Sequence, residues 1–159
     1  FFKQKTAYEI KECDWSSDVC SSDLAAIPHL KSRRGLIVNL SSDAGVQGNT
    51  GAALYCASKG AVSLFTKALA LELAGDVRVV AVCPGDVRTP MLVAQAARYG
   101  GGDPDAYYAR LLAGYPQGER ARFIEADEVA ALIEYLAQPE AAPITGALLS
   151  IDFGYSAGK

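Results

Sequence analysis

The sequence predicts an α/β fold, a parallel sheet covered by helices. Two observations predict it. Three short apolar, partly β-branched runs stand at 35–40, 77–82 and 147–151. Between them lie longer segments whose apolar residues recur at three- and four-residue spacing. Strands of period two alternating with helices of period 3.6 give crossover connections, and crossovers of helical length make neighbouring strands parallel.

Taken in order, residues 1–24 stand apart. They hold Cys13, Cys20, the single tryptophan Trp15 and the near-repeat Trp15-Ser16-Ser17-Asp18 and Cys20-Ser21-Ser22-Asp23, with neither helical nor strand periodicity. Three lysines against five acids give this stretch −2 of the chain's net −3. It reads as a disordered leader, or as non-native sequence. It resembles the peptide encoded when sequencing-adapter DNA is translated in frame, and such scars are set aside from fold reasoning.

From Ala25 the pattern is regular. Gly35-Leu36-Ile37-Val38-Asn39-Leu40 is a short apolar run bounded by Arg33-Arg34 and by Ser41-Ser42-Asp43, and predicts a buried strand. Residues 43–50 are a loop by composition. Over 52–74, Leu54, Ala57, Ala61, Leu64, Phe65, Ala68 and Leu71 mark a long amphipathic helix that Gly75 stops. Val77 to Val82 predicts a second strand, halted by Pro84-Gly85. Residues 86–120 mix short helical stretches with Gly100-Gly101-Gly102, and Asp103 before Pro104 is a helix start. Asp127–Ala137 is a further helix with Val129, Leu132, Ile133 and Leu136 on its apolar face, and Ala147–Ile151 is the third strand.

Composition narrows the function classes. In 159 residues, 15 basic side chains face 18 acidic ones, a balance too small and mixed for a nucleic-acid or membrane-surface binder. No apolar run is long enough to span a bilayer, and Phe1-Phe2-Lys3-Gln4-Lys5 does not open a secretory signal. The four cysteines Cys13, Cys20, Cys56 and Cys83 have no CxxC spacing, so neither zinc nor a thioredoxin-like centre is expected and no metal is assigned. His29 is the single histidine, which excludes two-imidazole chemistry and is placed at a surface helix end. A reduced, cytoplasmic chain is the expectation.

Tyr55 and Lys59, four apart on the predicted helix, share one face about one turn apart. With 8 tyrosines in the chain such a pair arises by chance too easily to carry an argument alone. Ser42 ends the first strand, Pro84-Gly85 ends the second, and Thr89-Pro90-Met91 follows closely. In a parallel sheet these strand ends share the edge where ligands bind, so two strand ends and one helix face converge on a crevice.

Ile37-Val38-Asn39-Leu40-Ser41-Ser42, Tyr55-Cys56-Ala57-Ser58-Lys59, Val82-Cys83-Pro84-Gly85 and Ile144-Thr145-Gly146 through Asp152-Phe153-Gly154 together resemble the short-chain dehydrogenase/reductase family. The resemblance covers 25–159 and implies a Rossmann-like doubly wound parallel sheet, of which this chain carries the carboxy-terminal half. It implies an NAD- or NADP-dependent oxidoreductase interconverting a ketone and a secondary alcohol, with a small-molecule substrate. The family's catalytic serine stands thirteen positions before the tyrosine, which selects Ser42 over Ser41. Tyr55 would be the general acid/base. A phenol, ordinarily at about pKa 10, is a poor base at neutral pH, and a nearby ammonium favours the phenolate. Lys59 would supply that charge and hold the nicotinamide ribose, while Ser42 would hydrogen-bond the substrate oxygen.

Pro84 and Gly85 resemble the family's turn beside the nicotinamide, and Val87 and Thr89 match positions contacting its carboxamide. Thr89 equally suits a helix cap. Asn39 is expected to satisfy backbone groups, and Cys56 and Cys83 to be small core residues. Tyr99, Tyr107, Tyr108 and Tyr115 line a substrate pocket or pack. Residues 1–34 contain no glycine, so the family's pyrophosphate-binding turn, its cofactor-choosing residue and its relay asparagine are missing, and the chain alone is expected to be inactive. The alternatives are a non-catalytic dinucleotide-binding or scaffold relative and a sugar-nucleotide epimerase or dehydratase. Family members often pair this long helix with its copy, and the apolar second face of 61–71 is compatible with a homo-oligomer.

Overall fold

A computed structural model describes residues 14–158. The elements run α1 (Asp14–Lys31), β1 (Leu36–Leu40), α2 (Ala53–Glu72), β2 (Arg78–Pro84), α3 (Pro90–Tyr99), α4 (Pro104–Leu112), α5 (Ala126–Ala137) and β3 (Leu148–Ile151), with short 3-10 turns between them. The strands are parallel in the order β1-β2-β3. Leu36 pairs with Arg78 and Ala81 with Leu148.

Side chains alternate across this sheet, which is why helices cover both faces. Ile37 and Val79 point to one side, where Leu69 and Ala70 of α2, Leu73 just past its end, and Ile27 and Leu30 of α1 pack on them. Val80 and Val82 point to the other, against Leu136, Val129, Leu132 and Ile133 of α5. The predicted doubly wound α/β arrangement is therefore present. Val79, Val80, Val82 and Leu136 are fully buried, and each such side chain contributes about 1.5–3 kcal/mol by leaving water. β1 stands at the sheet's edge and no described strand pairs with its outer side.

Two expectations differ from the structure. The stripe Leu54, Leu64 and Leu71 on α2 faces outward, 88%, 71% and 81% exposed. Val62, Ser63, Thr66, Leu69 and Ala70 face the sheet instead. The helix is apolar on two sides, and the small Ser63 fits its close approach to the 43–45 turn. A helix also crosses position 24, where the leader was expected to end: α1 runs unbroken from Asp14 to Lys31. The earlier part of the expected leader, 1–13, lies outside the described residues.

Candidate active site

The carboxyl ends of β1 and β2 form one edge, and the pairing continues past β1 because Ser41 N donates to Val82 O at 2.9 Å. The adjacent serines then divide their work. Ser41 is buried, and its hydroxyl donates to Lys59 O at 3.0 Å and meets Ser63 Oγ at 2.7 Å, tying α2 to the strand end. A Cβ on Gly45 would overlap the Ser41 hydroxyl and approach Lys59 O at 2.8 Å, so only glycine fits that crossing.

Ser42 sits one step further along. Its hydroxyl donates to Asp43 Oδ1 at 2.7 Å and accepts from Ala44 N at 3.2 Å, capping the 3-10 turn 43–45. Asn49 Nδ2 (3.0 Å) and Gln47 Nε2 (3.4 Å) donate to the other carboxylate oxygen of Asp43.

Tyr55 and Lys59 stand in the first two turns of α2. The Lys59 Nζ donates to Leu40 O at 2.9 Å and lies 5.9 Å from the centre of the Tyr55 ring. One ammonium thus links the last residue of β1 to the phenol. Burial pushes the Lys59 pKa down, opposed by the nearby Cys83. Tyr55 remains 48% exposed, open to a ligand. Cys83 is fully buried, as expected of a small core residue, and burial pushes its thiol up.

On the neighbouring strand end, Gly85 N donates to Ile151 O at 3.1 Å, joining the Pro84-Gly85 turn to β3. A Cβ at Gly85 would meet the Tyr115 hydroxyl at 2.7 Å and Asp152 Cβ at 3.2 Å. The chain then leaves the edge. Val87 bridges to Ile124, and Thr89 stands at the start of α3. Thr89 makes no capping bond from its side chain; its hydroxyl donates to Val87 O at 3.4 Å.

Sequence reasoning passed over Asp86 and left Tyr115 between lining a substrate pocket and packing. Tyr115 is buried; its hydroxyl accepts from Asp86 N at 2.7 Å and donates to Asp86 Oδ2 at 3.1 Å. Its ring stacks on Tyr155 at 4.8 Å. Burial pushes the Asp86 carboxyl up, the Tyr115 hydrogen bond pulls it down, and Asp43 adds repulsion. Tyr107, Tyr108 and Phe123 form an edge-to-face run, while Tyr99 is exposed. Asn39 also departs from expectation: its amide donates to Asp23 Oδ2 and Thr66 Oγ1, side chains rather than backbone. An isolated aspartate after a strand and a tyrosine 29 positions later carry no pairing signal in sequence.

The family model described as enoyl-(acyl carrier protein) reductase matches residues 20–156. The meso-2,3-butanediol dehydrogenase of Serratia marcescens is 41% identical over 135 residues, 83% of this chain and 49% of that protein. The 3-oxoacyl-(acyl-carrier-protein) reductase FabG of Thermotoga maritima is 37% identical over 154 residues, 91% of this chain and 58% of that one. A crystal structure of an actinorhodin polyketide ketoreductase variant with NADPH superimposes with a TM-score of 0.76 at 38% identity, covering 86% of this chain and 53% of that one. The chain therefore spans about half the length of the curated relatives it matches.

Proposed function

Because this chain belongs to the short-chain dehydrogenase/reductase family, we propose that it is the carboxy-terminal half, from Ala25, of an NAD(P)-dependent oxidoreductase that interconverts a ketone and a secondary alcohol. The supporting observation is the Lys59 ammonium, which donates to Leu40 O beside Ser42 and stands next to the Tyr55 ring. The substrate is a small molecule, and the expected compartment is the cytoplasm.

The residues present fit the nicotinamide end of a dinucleotide. The Lys59 ammonium has three donors and, among the described residues, one acceptor, Leu40 O, so donors remain for a ribose. Gly85 carries no side chain at a turn already packed tightly from behind. A bound nicotinamide supplies the hydride donor or acceptor. Tyr55 gives a proton to the substrate oxygen in reduction and takes it back in oxidation. Lys59 places positive charge beside the phenol and holds the ribose. Ser42 turns its hydroxyl to the substrate oxygen as charge develops there. Pro84, Gly85, Val87 and Thr89 form the nicotinamide side of the site. The exposed row Leu54, Leu64 and Leu71 packs against a second copy, and the open side of β1 receives the remaining strands.

The test uses the intact protein. Tyr55→Phe should lose nearly all turnover with a ketone panel while dinucleotide binding, followed by nucleotide fluorescence, persists. Turnover at the unmodified level would move proton transfer to another group. The 159-residue chain alone should be inactive in the same assay.

A further inference from the structure

Asp86 is half-buried, yet it has no ion pair among the described residues. Its Oδ2 accepts from the Tyr115 hydroxyl, and no hydrogen bond within the described residues reaches its Oδ1. A partly desolvated carboxylate without a counter-charge costs stability. The fold does not need this charge to hold Tyr115. The Tyr115 hydroxyl already takes the Asp86 backbone N–H at 2.7 Å, and its ring is stacked on Tyr155.

The surroundings place Asp86 beside the proposed reaction site. It stands one residue past Gly85, on the edge that Ser42 shares. Asp43, the acceptor of the Ser42 proton, raises the Asp86 pKa from one side. Asp86 in turn raises that of Tyr107 on α4. In the structure the Tyr115 hydroxyl bonds both the backbone N–H and the Oδ2 of Asp86, and Ile124 N donates to its backbone oxygen at 3.0 Å, so Asp86 joins the strand edge to the segment that follows α4. That neighbourhood is rich in acceptors: Asp43 already takes three donated hydrogen bonds, and Gln47 Oε1 is buried with no donor among the described residues. A ligand seated there must bring its own donor and no negative charge.

We propose that Asp86 is a specificity-determining residue whose Oδ1 accepts a hydrogen bond from a hydroxyl on the carbon next to the reacting carbonyl. The substrate class is then hydroxyketones and the corresponding vicinal diols, with keto acids excluded. This rests on the oxidoreductase reading above. It adds a substrate group that the catalytic residues do not contact.

Hydroxyacetone, acetone and pyruvate share a methyl ketone and differ only in the neighbouring group. The intact protein should reduce hydroxyacetone with a kcat/KM roughly tenfold to a hundredfold above acetone, the scale of one hydrogen bond to a charged acceptor, and should reject pyruvate. Asp86→Asn, which keeps an acceptor for Tyr115, should shrink the preference and admit pyruvate. Asp86→Leu should abolish the preference. The melting temperature of Asp86→Asn should stay at the parent value, which separates recognition from folding. A parent without preference for hydroxyacetone overturns the proposal, as does a preference unchanged in Asp86→Leu. Tyr55→Phe separates the two readings. If that variant is dead while the Asp86 series is flat, the recognition role alone fails; if it retains turnover, the oxidoreductase reading fails first.

Discussion

Gly85→Ala probes the tightest packing at the proposed nicotinamide turn. The glycine is not in the left-handed region, so alanine brings no backbone strain; the cost comes from what the new methyl meets. It would lie 2.7 Å from the Tyr115 hydroxyl and 3.2 Å from Asp152 Cβ. Tyr115 cannot swing away cheaply, because its ring is stacked on Tyr155 and its hydroxyl is bonded twice to Asp86. Overpacking of this kind costs about 1–3 kcal/mol. Tyr115→Phe alone keeps the stack but leaves the Asp86 N–H without its acceptor, at about 1–3 kcal/mol. Together the substitutions should cost less than their sum, since the clashing oxygen is gone. Their coupling should be about 1–2 kcal/mol, within the range for residues in contact. Urea unfolding of the intact protein and its two single and one double variants measures that coupling, and dinucleotide KM should follow the same order. Additivity to within about 0.5 kcal/mol would show that the hydroxyl is not what the methyl strikes.

Arg122 hydrogen-bonds both carboxylate oxygens of Glu128, and with the Glu125 N–H it holds that carboxyl down at about 2 from its ordinary 4.5. A lowered acid stabilises the fold above its ordinary value and loses that stabilisation as pH falls through about 2. Acid unfolding should therefore begin at higher pH in Arg122→Met than in the parent, with the gap narrowing in high salt; coincident acid transitions would refute the link. Leu64→Glu places a charge in the outward row of α2 and should convert the intact protein to smaller species in sedimentation equilibrium. Unchanged assembly would exclude that face as the contact between copies.

Elements were readable where one physical signal dominated. α5 shows Val129, Leu132, Ile133 and Leu136 at helical spacing because a single stripe meets the sheet. Asp103 caps α4 through Ala106 N, as its place before Pro104 predicts. α2 misled because its outer side carries Leu54, Leu64 and Leu71 while its inner side includes Ser63 and Thr66, and periodicity reports spacing without saying which side is inside. Ser63 and Thr66 belong to the interior because α2 crosses the 43–45 turn closely, a Cβ on Gly45 falling 2.8 Å from Ser63 Oγ, and their hydroxyls find partners in Ser41 and Val62 O. The placement of Ser42 just past a strand end, and of Tyr55 beside Lys59 on one helix, was legible from motif spacing. The hydrogen bonds of Ser42 were not, because Asp43 is only its next neighbour in sequence until the 3-10 turn folds the carboxylate back onto the hydroxyl.

That contact bears on how the proposed chemistry would be timed. Ser42 has one proton, and in this structure a carboxylate takes it at 2.7 Å. A neutral ketone oxygen is a weaker acceptor than a carboxylate and competes poorly for that proton. An oxygen carrying the negative charge of hydride addition competes on equal terms. On the proposed reading, the Ser42 bond to substrate is then strong only once charge has developed. An interaction that is weak in the ground state and strong in the transition state raises turnover rather than tightening substrate binding. The same logic explains why Ser41 cannot substitute for its neighbour. Its hydroxyl is spent on Lys59 O and Ser63, holding the helix that presents Tyr55 and Lys59, and turning it toward a ligand would loosen the platform on which both depend.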